Sequence, residues 1–353
     1  RDPNAIRAIN NLRLDIWTKD AWMLIVWVAL GLGTIWMWIQ RNISKNIFMV
    51  VLVFIAILDI TNVGQRIIHP TKSSLRSAAT METKTVDRYF EPDPVINYLK
   101  QQKGDFRIYP VWNLFGESRF RAFELESMGG YHPAKMEVTK EFLQRTNDHV
   151  LESKNITQLI KRIENFIPLI RMMNVHYLIS QQNIPLSEVK EVFNGKMRSS
   201  RGVISAKVYA LNDPLPRAWF VGNVETTTED QLWRMIYEAN FAPEDVAYIQ
   251  TANKEKAGQY SKGIVNTIEH SIHELKIDVS CNDPGFLVVS EVHYPLRWKC
   301  TIDGQTAETI ETNKLIRGVV IPPGEHTVEF IYDRSSFNKG KIISGVSFII
   351  ALG

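Results

Sequence analysis

The apolar residues fall into two regimes along the chain. Residues 21–39 carry no charge over close to the roughly 20 residues that a helix needs to cross a bilayer, and Trp22, Trp27, Trp36 and Trp38 recur within them. Trp22 and Trp38 suit the interfacial belt at the two ends of a span. Residues 47–64 are apolar again, interrupted by Asp59. Ahead of both, Ile6, Ile9, Leu12 and Ile16 recur at helical spacing, with Arg7, Arg13 and Lys19 off that face. Residues 1–64 therefore read as an amphipathic segment followed by two transmembrane helices. Arg41 and Lys45 in the tight loop between them place that loop in the cytoplasm by the positive-inside rule. Everything after residue 64 is then extracytoplasmic.

Beyond a polar Ser/Thr-rich linker at 65–91, the pattern shortens. Helical stretches are expected at 93–102, 135–152, 156–171 and 228–240, and strands at 106–112, 175–180, 203–211 and 218–224. This gives a mixed α/β region over 92–250. Residues 251–338 then read as a β-sandwich-like module, with its clearest strands at 286–294, 298–302, 315–321 and 326–332. Asp303-Gly304 is a strong two-residue hairpin signal, and Pro322-Pro323-Gly324 a hard turn. Residues 339–353 are apolar after Lys341 and read as the start of a further transmembrane helix that the sequence truncates. The expected class is α+β: transmembrane helices, an extracytoplasmic mixed α/β region and a C-terminal sandwich.

Composition adds mainly exclusions. A formal net charge of +3 over 353 residues, without a basic cluster, gives no support for nucleic-acid binding. No GxSxG, HExxH or P-loop pattern is present. Cys281 and Cys300 have no metal-type spacing; a disulfide in an extracytoplasmic domain and two buried thiols both remain open. Glu269, His270, His273 and Glu274 would bring their ligand atoms together on a helix. The surrounding pattern is strand-like, so no metal is assigned to them.

Four residues are candidates for substrate binding. His132 and Lys135 follow Gly129-Gly130, which allow close backbone approach, and a lysine at such a turn suits a phosphate; the alternative is a simple loop-to-helix turn with Pro133 at the first helical position. Tyr131 lies beside them, for contact or for packing. Trp298, near His293 and Tyr294, suits stacking on a sugar ring or filling the sandwich core. Asp59 is the catalytic candidate, as an ionisable group near membrane depth, or else a helix-end group in water. Asp303 is a turn residue, and His326 begins a strand.

Six motifs, in order, carry a resemblance. They are Gly129-Gly130-Tyr131-His132-Pro133-Ala134-Lys135; Met172-Met173-Asn174-Val175-His176-Tyr177-Leu178-Ile179; Pro216-Arg217-Ala218-Trp219-Phe220-Val221; Tyr294-Pro295 with Trp298 and Asp303-Gly304; Arg317-Gly318-Val319 with Pro323-Gly324-Glu325-His326; and Gly340 to Ser344 running into an apolar segment. From about Asp59 onward the chain resembles the C-terminal part of bacterial multi-pass membrane proteins of the YfhO type. Pro295-Leu296-Arg297-Trp298 stands where that family often has Pro-Gly-Trp. The resemblance implies a parent similar to GT-C glycosyltransferases in the cytoplasmic membrane. Such an enzyme moves a sugar from a polyprenyl-phosphate carrier to a cell-surface acceptor such as a glycopolymer. Its catalytic carboxylates, and any divalent metal, would lie in an early loop ahead of Arg1. The portion present would bind or position substrate at the outer face of the membrane. No other cofactor is expected. The rival reading is a non-catalytic binding or assembly module in a surface-polymer glycosylation or export complex.

Overall fold

A computed structural model describes residues 3–68, 83–132, 134–145, 147–200, 202–237 and 241–352. The chain forms two compact units, 1–88 and 89–353.

In the first unit, α1 (Pro3–Ile39) and α2 (Lys45–Ile68) form a helical hairpin. Trp38 stacks on Phe48 at 4.8 Å between ring centroids beside the turn. Farther along, the Asn62 side-chain amide donates to Met23 Sδ at 3.6 Å. Arg13–Ile39 and Lys45–Asn62 are long and apolar enough to cross a membrane. Leu24, Ile25, Val50 and Phe54 are exposed on them. The amphipathic stretch does not form a separate element: it runs unbroken into the first apolar stretch as one 37-residue helix. Ile6, Ile9, Leu12 and Ile16 lie outside the described side chains. Of the expected linker, 69–82 lies outside the described residues, while 83–90 form α3 (Thr83–Phe90).

The second unit begins with α4 (Pro94–Lys100). Asp93 Oδ1 caps it by accepting from Ile96 N at 2.9 Å, and Pro94 sits in the first turn, where its missing N–H costs nothing. There follow β1 (Arg107–Pro110), β2 (Glu126–Ser127), α5 (Glu137–Arg145), α6 (Asn147–Leu151), α7 (Ile156–Met172), β3 (Val175–Ser180), β4 (Val189–Ser199) and β5 (Gly202–Leu211). Of the helix expected at 135–152, residues 137–145 and 147–151 are helical, and residue 146 lies outside the described residues. The first sheet has the order β2-β1-β3-β5-β4. One face, with Ile108, Ile179, Met197 and Val208, packs against Val95, Ile96 and Leu99 of α4.

The next elements are β6 (Ala218–Val221), β7 (Asn223–Thr227), α8 (Glu229–Tyr237), β8 (Val246–Gln250), β9 (Gly258–Gln259), β10 (Ile264–His270), β11 (Glu274–Cys281), β12 (Gly285–Val292), β13 (Trp298–Ile302), β14 (Gln305–Ala307), β15 (Ile310–Thr312), β16 (Ile316–Ile321) and β17 (Gly324–Tyr332). They build a seven-stranded sheet, β6-β12-β16-β15-β8-β7-β9, and a five-stranded sheet, β10-β11-β17-β13-β14. The sandwich core lies between them. Ala218, Phe220, Leu287, Val289, Val319 and Ile321 on one side meet Leu275, Ile277, Val279, Val328 and Phe330 on the other.

The boundary expected at 250/251 falls inside the seven-stranded sheet, because β6 pairs with β12 and β8 with β15. The reason is visible in the side-chain alternation. Trp219, Val221, Phe286 and Val288 point away from the sandwich core into a second core shared with α7, α8 and the first sheet. The sheet is thus buried on both faces, which is why β6 and residues 285–290 of β12 lack polar alternation. Gly318 sits where those layers close. A methyl group there would stand 2.6 Å from Thr312 Oγ1 and against the Phe286 ring. We expect Gly318→Ala to lower stability by about 1–3 kcal/mol, measured as a shift in the unfolding midpoint; an unchanged midpoint would show that Phe286 can yield.

The hairpin signal at Asp303-Gly304 is realised, with φ of 50° and 79° at the two residues. His326 is held by Asp303 Oδ2 at 2.6 Å. That contact pushes the imidazole pKa up, its largest cause being the hydrogen bond to Asp303. Cys281 and Cys300 are both free and buried, and burial pushes the Cys300 thiol up to about 12. The last helix, α9 (Ser335–Leu352), begins four residues before the boundary expected at 339 and exposes Ile342, Ile343, Val346 and Phe348.

Candidate functional site

β1 and β2 run parallel, with Arg107 opposite Glu126. The chain leaving β2 is fastened twice to the segment after β1. Gly130 N donates to Phe115 O at 2.6 Å, and Tyr131 N donates to Ser118 Oγ at 2.9 Å. Gly130 has φ +100°, a conformation open to glycine. A side chain at Gly129 would collide with the Phe115 carbonyl. The double glycine is thus a requirement of this close backbone crossing. It sets His132 and Lys135 on the wall of a cavity of about 270 Å³.

The cavity wall includes Met128, Phe142, Leu143, Met173, Val292 and Leu315, which are apolar. Four cationic or ionisable nitrogen groups line it: Arg107, Arg121, His132 and Lys135. Arg107 is already engaged, with Glu291 at 2.5 Å, Glu126 at 3.1 Å and Ser290 O at 2.7 Å. Among the described residues, no acidic side chain pairs with Arg121, His132 or Lys135. All three are exposed. The arrangement can take an anionic group at the cationic side with apolar matter below it.

A second cluster adjoins this wall. Arg217 is 1% exposed. Its Nη2 donates to Asp105 Oδ1 and to Glu126 Oε2, each at 2.8 Å, and its Nη1 donates to Glu291. Burial pushes the Glu291 carboxyl up, but Arg107, Arg217, Arg317 and His270 outweigh it and hold the group below the usual carboxylate range. Arg317 is buried, donates Nη2 to Val292 O at 3.0 Å, and lies between the Trp298 and Phe330 rings at 5.1 and 4.9 Å. Burial pulls its pKa down to about 10, so it stays charged at neutral pH.

Asp105, Glu126 and His270 bring one ligand atom each within 4.8 Å of one another, the described group closest to a metal-binding set. Arg217 stands in the same place with its donors on both carboxylates, and a guanidinium there opposes a metal cation. The charges favour an ion-pair lock: Asp105, Glu126 and Glu291 face Arg107, Arg217 and Arg317. The lock ties the first sheet to the seven-stranded sheet. His273, paired with His270 in the sequence, lies in the β10–β11 turn with its ring 6.2 Å from Tyr332 and does not join that group.

Tyr131 and Trp298 do not line the cationic cavity. Tyr131 is 75% exposed and is not among its lining residues. Trp298 lines a different cavity of about 220 Å³, beside Arg217, His270 and Arg317. One of its faces carries the Arg317 guanidinium, and Tyr332 meets it edge-on at 5.5 Å. Asp59 is exposed on α2 in the first unit. Pro133 lies outside the described residues. Sequence reasoning missed Arg107 and Arg121, which carry no local motif. It quoted Arg217 only inside a resemblance motif; an arginine directly before the apolar run Ala218–Val221 was the available signal.

Comparison of the chain with models of known families, with curated proteins and with solved structures gives no match.

Proposed function

We propose that this chain belongs to a bacterial multi-pass membrane protein of the YfhO type, which transfers a sugar from a polyprenyl-phosphate carrier to a cell-surface acceptor. In this reading residues 89–334 lie outside the cytoplasmic membrane and hold the anionic end of the lipid-linked substrate. The observation that carries it is the cavity in which Arg121, His132 and Lys135, without acidic partners among the described residues, stand beside an apolar wall. A phosphate joined to a hydrocarbon chain matches both halves of that lining. The six ordered motifs and the two apolar helices of the first unit support the membrane setting.

A specific observation favours the second reading, a binding or assembly module without catalysis. Among the described residues, Glu291 is the one acidic side chain lining the cavity, and Arg107 and Arg217 hold it as an ion-paired carboxylate. It is poorly placed to act as a general base. The bond-making groups of the first reading must then lie elsewhere in the parent protein.

The test is binding of a short polyprenyl phosphate to the full chain in detergent, with the uncharged polyprenol as comparison. The phosphate should bind at least about tenfold more tightly, and its advantage should shrink as salt screens the charges. Equal binding of the two lipids would sink both forms of the proposal. A sugar-transfer assay on the parent protein separates the enzyme from the module.

A further inference from the structure

The five-stranded sheet has one end unlike the other. Its central strand, β17, runs directly into α9. Two loop tips flank that root. On one side is the β10–β11 turn, fastened by Tyr332 N donating to His273 O at 2.9 Å. On the other is the β12–β13 loop, fastened by Asp333 N donating to Arg297 O at 2.7 Å. Each tip holds an aliphatic side chain out into solvent: Ile272 is 86% exposed and Leu296 72%. Phe337, in the first turn of α9, is 65% exposed. Two separate turns of a water-facing domain would ordinarily carry polar residues at such positions.

The charges around these tips have one dominant sign. Arg297, Lys299, Arg334, Lys339 and Lys341 surround the root of α9, against Asp333 and Glu274. Asp333 Oδ1 accepts from Ser335 N at 2.8 Å at the start of α9. Past Lys341 the helix is apolar and exposed through Ile350. Exposed aliphatic tips, a basic collar and an emerging apolar helix at one end make a surface complementary to anionic headgroups over hydrocarbon.

We propose that this end of the sheet is a membrane-docking collar for an anionic bilayer surface, with Ile272 and Leu296 entering the headgroup layer on either side of α9. The inference rests on the membrane setting proposed above and extends it to a named surface. The collar also adjoins the cavities described above. Ile272 lines the cavity that holds Arg217 and Trp298, and it lines an adjoining groove of about 450 Å³ whose other walls include Arg107 and Arg121. Those two arginines are shared with the cationic cavity. The groove wall also carries Glu124 and Glu126, so it presents charges of both signs between Ile272 and Arg121.

The test places a spin label at Ile272→Cys, Leu296→Cys, Ile342→Cys and Gln305→Cys, one at a time, in the full chain reconstituted into vesicles. Gln305 lies at the opposite end of the same sheet. The unsubstituted chain, whose two cysteines are buried, measures background labelling. Collision of the label with oxygen and with a water-soluble nickel chelate reports lipid or water contact. In phosphatidylglycerol-rich vesicles, positions 272 and 296 should resemble 342 in oxygen preference and differ several-fold from 305. Replacing Lys339 and Lys341 by glutamine, or using phosphatidylcholine alone, should move both tips toward water. A water-like reading at either tip, with 342 in lipid, overturns the collar and leaves the phosphate-binding cavity standing. A water-like reading at 342 removes the collar together with the membrane setting.

Discussion

Replacing Arg217 by methionine should lower the unfolding free energy by about 2–3 kcal/mol. The substitution keeps a long unbranched side chain but leaves Asp105, Glu126 and Glu291 without the guanidinium that contacts all three. Two of those carboxylates retain Arg107, which is too few donors for the charge present. The arginine is buried but the carboxylates are partly hydrated, at 39% exposure for Asp105, 35% for Glu126 and 22% for Glu291, so their loss of a partner costs less than that of fully buried charges. The measurement is denaturant unfolding of the full chain in detergent, followed by tryptophan fluorescence. A loss under about 1 kcal/mol would mean that solvent screens the cluster as fully as it does a surface ion pair. The pH dependence has a definite sign. Glu291 titrates lower in the folded protein than in the unfolded chain. Its contribution is therefore complete above the unfolded value, about 4.3, and disappears as pH falls through the lower folded value. Acidification through that interval should destabilise the natural chain more than the Glu291→Gln variant.

Local signals in this sequence were legible where a single segment determines the outcome. Asp303-Gly304 needs only two residues with positive φ, and both adopt it. Asp93 and Pro94 mark the start of α4 because cap and first-turn chemistry are complete within four residues. The alternation-free run at 286–289 announced a strand but not its position, since burial on two faces requires knowing which layers lie above and below. β4 escaped notice because its burial is irregular and its register shifts between Glu191 and Phe193. The ion-pair lock was illegible for a different reason. Its members come from four strands and two loops, and the pairings of β1 with β2, β6 with β12 and β12 with β16 help bring them together. The His132–Lys135 pair was found because the double glycine advertises a close backbone crossing. Arg121, which completes that cationic side, comes from a single-turn helix with no motif of its own.

That third cation makes the Arg121→Ala, Lys135→Ala double variant the sharpest probe of the cavity. Charge-assisted hydrogen bonds contribute about 1.5–3 kcal/mol each when dry, and the exposure of both side chains favours the lower part of that range. Each substitution should weaken binding of a polyprenyl phosphate by about tenfold, and the pair by about a hundredfold. Neither residue has an acidic partner among the described residues, so the unfolding midpoint should move by no more than the roughly 0.5 kcal/mol usual for surface changes. The double variant should bind the uncharged polyprenol as the natural chain does, because the apolar wall built from Met128, Phe142 and Leu315 is intact. Tyr131→Ala separates contact from proximity: with its side chain outside the cavity lining, it should leave phosphate affinity within about twofold. A loss at Tyr131 as large as at Lys135 would relocate the anion outside the cavity, onto the exposed side chains of Tyr131 and Lys135. A loss of polyprenol binding equal to the loss of phosphate binding would show that the two cations shape the apolar wall and take no part in holding charge.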